Sequence, residues 1–225
     1  MRKTILIILF ISVQQAYGSL PWFSYISYGP SFGGSVTSAK PLKSFDGITG
    51  LNTVFQPGFS TGMHISLRRP LTCFELGFEY ASEGSTIRYK PERGSFEAGY
   101  VKLYQHDFKF FNIQMPVGMM FQVHEGTNTT HRFGFSVLPR YLIRSMEYQE
   151  IQYISGAKER DILFQKNGGI TIGMRLQYGI EIPLLYDHAI RIEPYVTVLP
   201  DFKNYTDSQP NVWGFGLRNT FFINR

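Results

Sequence analysis

Residues Ile170 to Ile182 read ITIGMRLQYGIEI. The even positions are Ile170, Ile172, Met174, Leu176, Tyr178, Ile180 and Ile182. The odd positions are Thr171, Gly173, Arg175, Gln177, Gly179 and Glu181. Apolar and aromatic side chains occupy one parity, and glycine, polar and charged residues occupy the other. Successive side chains of a strand point to opposite faces, so a period of two predicts a strand with one apolar and one polar face. The run is 13 residues long, about twice the usual 5–6 residues of a globular strand.

The same alternation recurs seven times. Phe111, Ile113, Met115, Val117, Met119, Phe121 and Val123 oppose Asn112, Gln114, Gly118 and Gln122. Trp213, Phe215, Leu217, Phe221 and Ile223 oppose Gly214, Gly216, Arg218 and Thr220. Ile190, Ile192, Val196 and Val198 oppose Arg191, Glu193 and Thr197. Phe133, Phe135, Val137, Tyr141 and Ile143 oppose Gly134, Ser136 and Arg140. Phe74, Leu76, Phe78 and Tyr80 oppose Glu75, Gly77 and Glu79. Phe59, Met63, Ile65 and Leu67 oppose Gly62, His64, Ser66 and Arg68. Near the start, Ile26, Tyr28 and Phe32 alternate with Ser27, Gly29 and Ser31. Eight strands result. Short links at 69–71, 124–130 and 183–188 alternate with long or polar connections at 33–58, 82–107, 144–169 and 200–211. Long loops at one end and short turns at the other predict an all-β, eight-stranded antiparallel up-and-down transmembrane β-barrel, with both termini at the short-turn, periplasmic end.

The polarity of the barrel follows from volume. A soluble barrel would turn its apolar face inward, but eight strands enclose little beyond their own side chains or one small ligand. The apolar face here carries roughly forty large side chains, far too many for such a lumen. No Lys, Arg, Asp or Glu lies on that face within the eight segments. A charge there would cost up to about 2–4 kcal/mol at a bilayer midplane. The apolar face therefore looks outward into lipid.

Composition agrees with this division. Of 225 residues 43% are hydrophobic, 16% aromatic and only 17% charged, against roughly 25% charged in soluble domains. Mean hydropathy stays at -0.12, because half of every strand is polar. The single cysteine excludes a disulfide scaffold. Met1-Arg2-Lys3, the apolar run Thr4 to Val13 and Ala16-Tyr17-Gly18 predict a signal peptide over 1–18, followed by one barrel domain over 19–225. Loss of Arg2 and Lys3 lowers the formal charge from +5 to +3. No basic stripe points to nucleic acid.

The charged residues of the polar face are Arg68, Glu75, Glu79, Arg140, Arg175, Glu181, Arg191, Glu193 and Arg218, with His64 among them. Buried charges are paired as a rule, so these predict a salt-bridged lumen. Glu181 is expected beside Arg191, and Arg68 near Glu75. The alternative is a small channel. Glu75 and Glu79 stand roughly 13 Å apart along the strand, too far for a two-carboxylate glycosidase. The five histidines have no metal-ligand spacing, and neither a P-loop nor a nucleophile elbow occurs. Cys73 reads as a small residue at a strand start. No catalytic residue, cofactor or metal is expected, and the chain reads as a non-enzyme. A lipid-modifying enzyme using His64 and a soluble binding barrel are further alternatives. The charged, tyrosine-bearing connections 83–107 and 144–167 are candidate binding surfaces.

Several strands resemble a known family. Gln56-Pro57-Gly58-Phe59-Ser60-Thr61-Gly62 is similar to the GFxxG second strand of the PorT-like outer-membrane β-barrel family of Bacteroidetes, and Phe111 to Val117 to its yleiPl fourth strand. Gly168 to Gly179 is similar to its dfgxxxGxG sixth strand, and Arg191 to Pro200 and Trp213 to Phe222 to its last two. One departure stands at the end, where Ile223-Asn224-Arg225 follow Phe222 instead of a terminal aromatic residue. The resemblance implies insertion by the outer-membrane assembly machinery, outer-membrane lipid as surroundings, and an accessory role in an envelope or secretion complex.

Overall fold

The computed structural model describes residues 25–41, 49–91, 95–184, 187–199 and 210–224. The predicted signal peptide and most of the 200–211 connection lie outside the described residues. Ten strands follow in chain order: β1 (Tyr25–Pro41), β2 (Thr49–Arg68), β3 (Thr72–Lys90), β4 (Val101–Gln114), β5 (Val117–Glu125), β6 (Thr130–Tyr153), β7 (Lys158–Lys166), β8 (Ile170–Pro183), β9 (His188–Leu199) and β10 (Pro210–Asn224). All pairings are antiparallel; β3 pairs with both β4 and β5, β6 takes β4 and β5 on one side and β7 and β8 on the other, and β1 pairs with β10. That pairing runs from Ser27↔Asn224 to Pro41↔Pro210 and closes the sheet into a ring.

Ten strands make eight staves because two staves are interrupted. Between β4 and β5 stands Pro116, which has no N–H to give to the ladder. Register with β3 nevertheless carries through, from Glu79↔Gln114 to Leu76↔Val117. The gap is bridged by Gly77 N–H donating to Pro116 O at 2.8 Å and Met115 N–H to Pro139 O at 2.9 Å. Between β7 and β8, Gly168 and Gly169 take φ of 80° and 140°, conformations that glycine adopts without a Cβ penalty. Leu142 holds that break from the side, donating to Gly169 O and accepting from Gly168 N–H.

The burial pattern is inside out. Phe32, Met63, Phe78, Phe135, Met174, Leu176 and Phe215 are exposed on the outer face. Arg68, Glu79, Arg191, Glu193 and Arg218 are all at most 1% exposed inside. An apolar surface that encircles the molecule far exceeds the few hundred Å² tolerated on a soluble monomer. Closure leaves no unpaired edge along the belt, as hydrocarbon demands. The barrel is therefore lipid-facing. Where β6 carries one extra residue opposite Phe111 and Asn112, Ile143 and Arg144 both turn outward.

The long connections need correction. Residues 33–41, 49–58, 82–90, 101–107 and 144–153 are strand, and 158–166 form β7. β6 alone has 24 residues, whereas about 9–11 cross a bilayer. Beyond the bilayer the outer face no longer meets lipid, so the alternation fades while the backbone pairing continues. The short links are turns as expected, with Arg69 N–H donating to Thr72 O at 2.7 Å and Gly126 N–H to Thr129 O at 2.8 Å.

Candidate functional site

Glu79, on the inward parity of β3, is the hub of the lumen. Arg175 of β8 approaches it in fork geometry, with Nη1 3.3 Å from Oε1 and Nη2 3.2 Å from Oε2. Arg218 of β10 donates to Oε1 at 2.7 Å, and His64 Nε2 of β2 lies 2.7 Å from the same oxygen. Gln114 of β4 donates to Oε2. Four staves thus converge on one carboxylate. Space for this comes from Gly77, where a Cβ would stand 2.7 Å from the His64 ring and from Pro116. Arg175 is held from its other side by the Tyr195 ring, 4.5 Å from its Cζ.

A second group lies towards the short turns. Arg218 Nε donates to Glu193 Oε2 at 2.9 Å and so links the two groups. Arg191 donates through Nη1 to Glu75 Oε1 at 2.8 Å and through Nε to Glu181 Oε2 at 3.2 Å. The expected Glu181–Arg191 neighbourhood is present as a direct cross-strand pair. Arg68 goes elsewhere than its hairpin suggested. It reaches across the lumen to Glu181, while Glu75 turns to Arg191. Phe222 lies beneath both cations, 4.5 Å from Arg191 Cζ and 5.0 Å from Arg68 Cζ. Cys73 is buried, its thiol 3.3 Å from Glu75 Oε1.

Two charges escaped the sequence reading. Arg132 of β6 and Glu83 of β3 share the parity of their inward neighbours, a signal that was available. They sit where strands were expected to begin or end. Glu83 pairs with Arg140. Arg132 is 4% exposed, and its Nε and Nη1 have no partner among the described residues. It stands between Gln122 and Gly179 in the ladder.

Beyond the Arg140–Glu83 pair, towards the long hairpins, the interior changes character. Ile87, Phe108, Phe110, Leu142, Leu199 and Val212 form one buried apolar cluster with Tyr89 packed on it. It was not foreseen: Ile87 falls in a segment read as a connection, Phe108 and Phe110 precede the strand expected from Phe111, and Leu142, Leu199 and Val212 are apolar residues on the inward parity at strand ends. The polar lumen is therefore capped by a hydrophobic plug.

Above the plug, Glu147, His106 and Tyr89 join β6, β4 and β3. His106 Nδ1 is 2.9 Å from Glu147 Oε1, and Tyr89 Oη is 3.1 Å from His106 Nε2. Burial and the nearby Glu147 and Glu97 carboxylates push the Tyr89 phenol up, so it remains a neutral donor. Tyr104 donates to Glu97 at 2.8 Å. Partial burial and that carboxylate push its phenol up to about 12. These contacts brace the hairpins. Inside the barrel His64 is engaged by Glu79 and Arg218, and no group of three metal-ligating side chains occurs among the described residues.

Fold and lumen together define a closed, lipid-facing eight-stranded β-barrel. No protein-family model and no curated protein sequence matches the chain. Solved outer-membrane barrels do. Neisserial surface protein A is 12% identical with a TM-score of 0.45, over 88% of this chain and 96% of that one. OprG from Pseudomonas aeruginosa is 10% identical with a TM-score of 0.46, over 90% and 97%. Ail, the attachment invasion locus protein of Yersinia pestis, is 10% identical with a TM-score of 0.36, over 88% and 98%.

Proposed function

We propose that the chain is a non-enzymatic integral protein of an outer membrane, with a sealed lumen, working through its long hairpins as an accessory of an envelope or secretion assembly. The observation that carries this reading is the interior. Among the described residues an ion-paired network fills the lumen and an apolar cluster lies beyond it, which favours a sealed barrel. The polar surface accessible to a partner then lies on the extensions of β3, β4, β6 and β7. The inside-out burial supports a lipid setting, and a closed barrel of this kind suits an outer membrane. In this reading residues 1–18 are removed on export, the assembly machinery inserts the barrel, and both termini face the periplasm. The likeness of Gly58-Phe59 and Phe111 to Val117 to the PorT-like family favours the secretion setting.

Crosslinking from intact cells tests it. The full chain should fractionate with the outer membrane, shift mobility on unboiled gels and crosslink an envelope protein through its hairpins. A variant with 148–162 replaced by a tight turn should keep the shift and lose the crosslink. Stepwise conductance of the unmodified protein in planar bilayers would overturn the sealed-lumen reading.

A further inference from the structure

The outer face of β4, β6 and β7 changes abruptly where the hairpins leave the apolar belt. Tyr141 and Ile143 are exposed on that belt beside Ile113 and Phe111. One step further along the strands stand Lys109 and Arg144, both exposed. Phe111 is the Cα partner of Arg144, and Lys109 that of Met146. Neither cation has a carboxylate partner among the described residues. Lys109 Nζ lies 5.9 Å from the Tyr148 ring, and Arg144 donates to the neutral Gln165 at 3.0 Å. Arg160 completes the group, its Cζ 4.8 Å from the centre of the Tyr148 ring. Among the described residues Asp107 is the single carboxylate paired with the patch, 3.5 Å from Arg160. Two cations beside one aromatic ring, with Arg144 four residues nearer the belt on the same strand as that ring, form an anion-binding face at the height of lipid headgroups.

We propose that Lys109, Arg144 and Arg160 seat the phosphate groups of a phosphorylated glycolipid in the outer leaflet, whose acyl chains lie on Phe111, Ile113, Tyr141 and Ile143. The inference rests on the reading that the long hairpins stand on the outer side of an outer membrane. Position selects a lipid over an acidic protein. Phe111 and Lys109 are two residues apart on one face, roughly 7 Å, so a single amphiphile spans both surfaces. Guanidinium and ammonium groups supply the charge-assisted hydrogen bonds that phosphate oxygens accept.

Bisphosphorylated lipid A, its dephosphorylated form and a poly-glutamate peptide are titrated against the full-length protein in detergent micelles, with bound ligand read by native mass spectrometry. The phosphorylated lipid should bind tightest. Lys109→Ala, Arg144→Ala and Arg160→Ala should each weaken it about fivefold, the scale of one basic residue at an anionic membrane surface. Lys90→Ala and Lys102→Ala, farther along the hairpins, should leave it unchanged. Equal binding of the dephosphorylated lipid, or an unaffected triple variant, overturns the proposal. Tighter binding of the peptide overturns it in favour of an acidic protein partner. Protease accessibility of the hairpins on intact cells is read separately. Hairpins facing the periplasm would overturn the underlying topology, and this site with it, whereas accessible hairpins with no phosphate preference would sink only the lipid site.

Discussion

At the scale of single residues, buried Glu79 and buried Arg132 make opposite predictions. Replacing Glu79 with alanine strands Arg175 and Arg218 without their shared carboxylate. Breaking a buried pair from one side costs about 3–5 kcal/mol, and urea unfolding in micelles should show a loss of that size. Arg132 is buried with two of its guanidinium nitrogens unpartnered among the described residues, so Arg132→Met should leave stability unchanged or raise it in the same assay. On the outer face, Leu176→Arg should cost about 2–4 kcal/mol of folding free energy in bilayers, since Leu176 lies midway along β8 and is exposed to lipid. Parity made the inward position of all nine lumen charges legible, because one misplaced charge in hydrocarbon is more costly than most alternatives. It could not give their partners. Arg68 meets Glu181 across the barrel rather than Glu75 in its own hairpin, and contacts across a lumen depend on curvature and stagger that no local pattern encodes.

At the scale of elements, the membrane-crossing parts of the strands were readable and their extensions were not. Alternation in β8 is maintained by two different solvents, lipid outside and a polar lumen inside. In the outer half of β6 the contrast vanishes, and Glu147, Tyr148, Gln149 and Glu150 read as loop although they pair residue by residue with β4. The break between β7 and β8 depends on Gly168 at positive φ. Gly168→Ala should cost about 1–2 kcal/mol, measurable as a lower urea midpoint. The tip of the β6–β7 hairpin should also respond to acid. Gln152 and Lys158 hold the Glu150 carboxyl below the usual glutamate range. A carboxyl with a lower pKa in the folded state adds stability above its unfolded pKa and loses it as pH falls through the folded value. Protection of the Gln152 and Tyr153 amides, relative to their intrinsic exchange at each pH, should therefore hold through neutral and mildly acidic pH and fall only below the ordinary glutamate range. A loss of protection between pH 7 and 6 would sink that assignment.

For the whole molecule, the sealed interior makes a prediction about ions. The unmodified barrel should be silent in planar bilayers. The double variant Phe108→Ala, Phe110→Ala, which empties the centre of the plug, should admit current while keeping its gel mobility shift; a silent double variant would mean that the Arg–Glu network seals the lumen alone. The joint between β1 and β10 has a consequence of another kind. Tyr28 pairs with Ile65 on one side, but on its other side its partner is Ile223, so the first strand to emerge waits for the last. During that interval the chain has two open margins, each a row of unanswered amides that any passing strand could join. Closure is then an event in time, governed by the birth of the final strand, and a chain halted before β10 can neither enter lipid at equilibrium nor safely remain outside it.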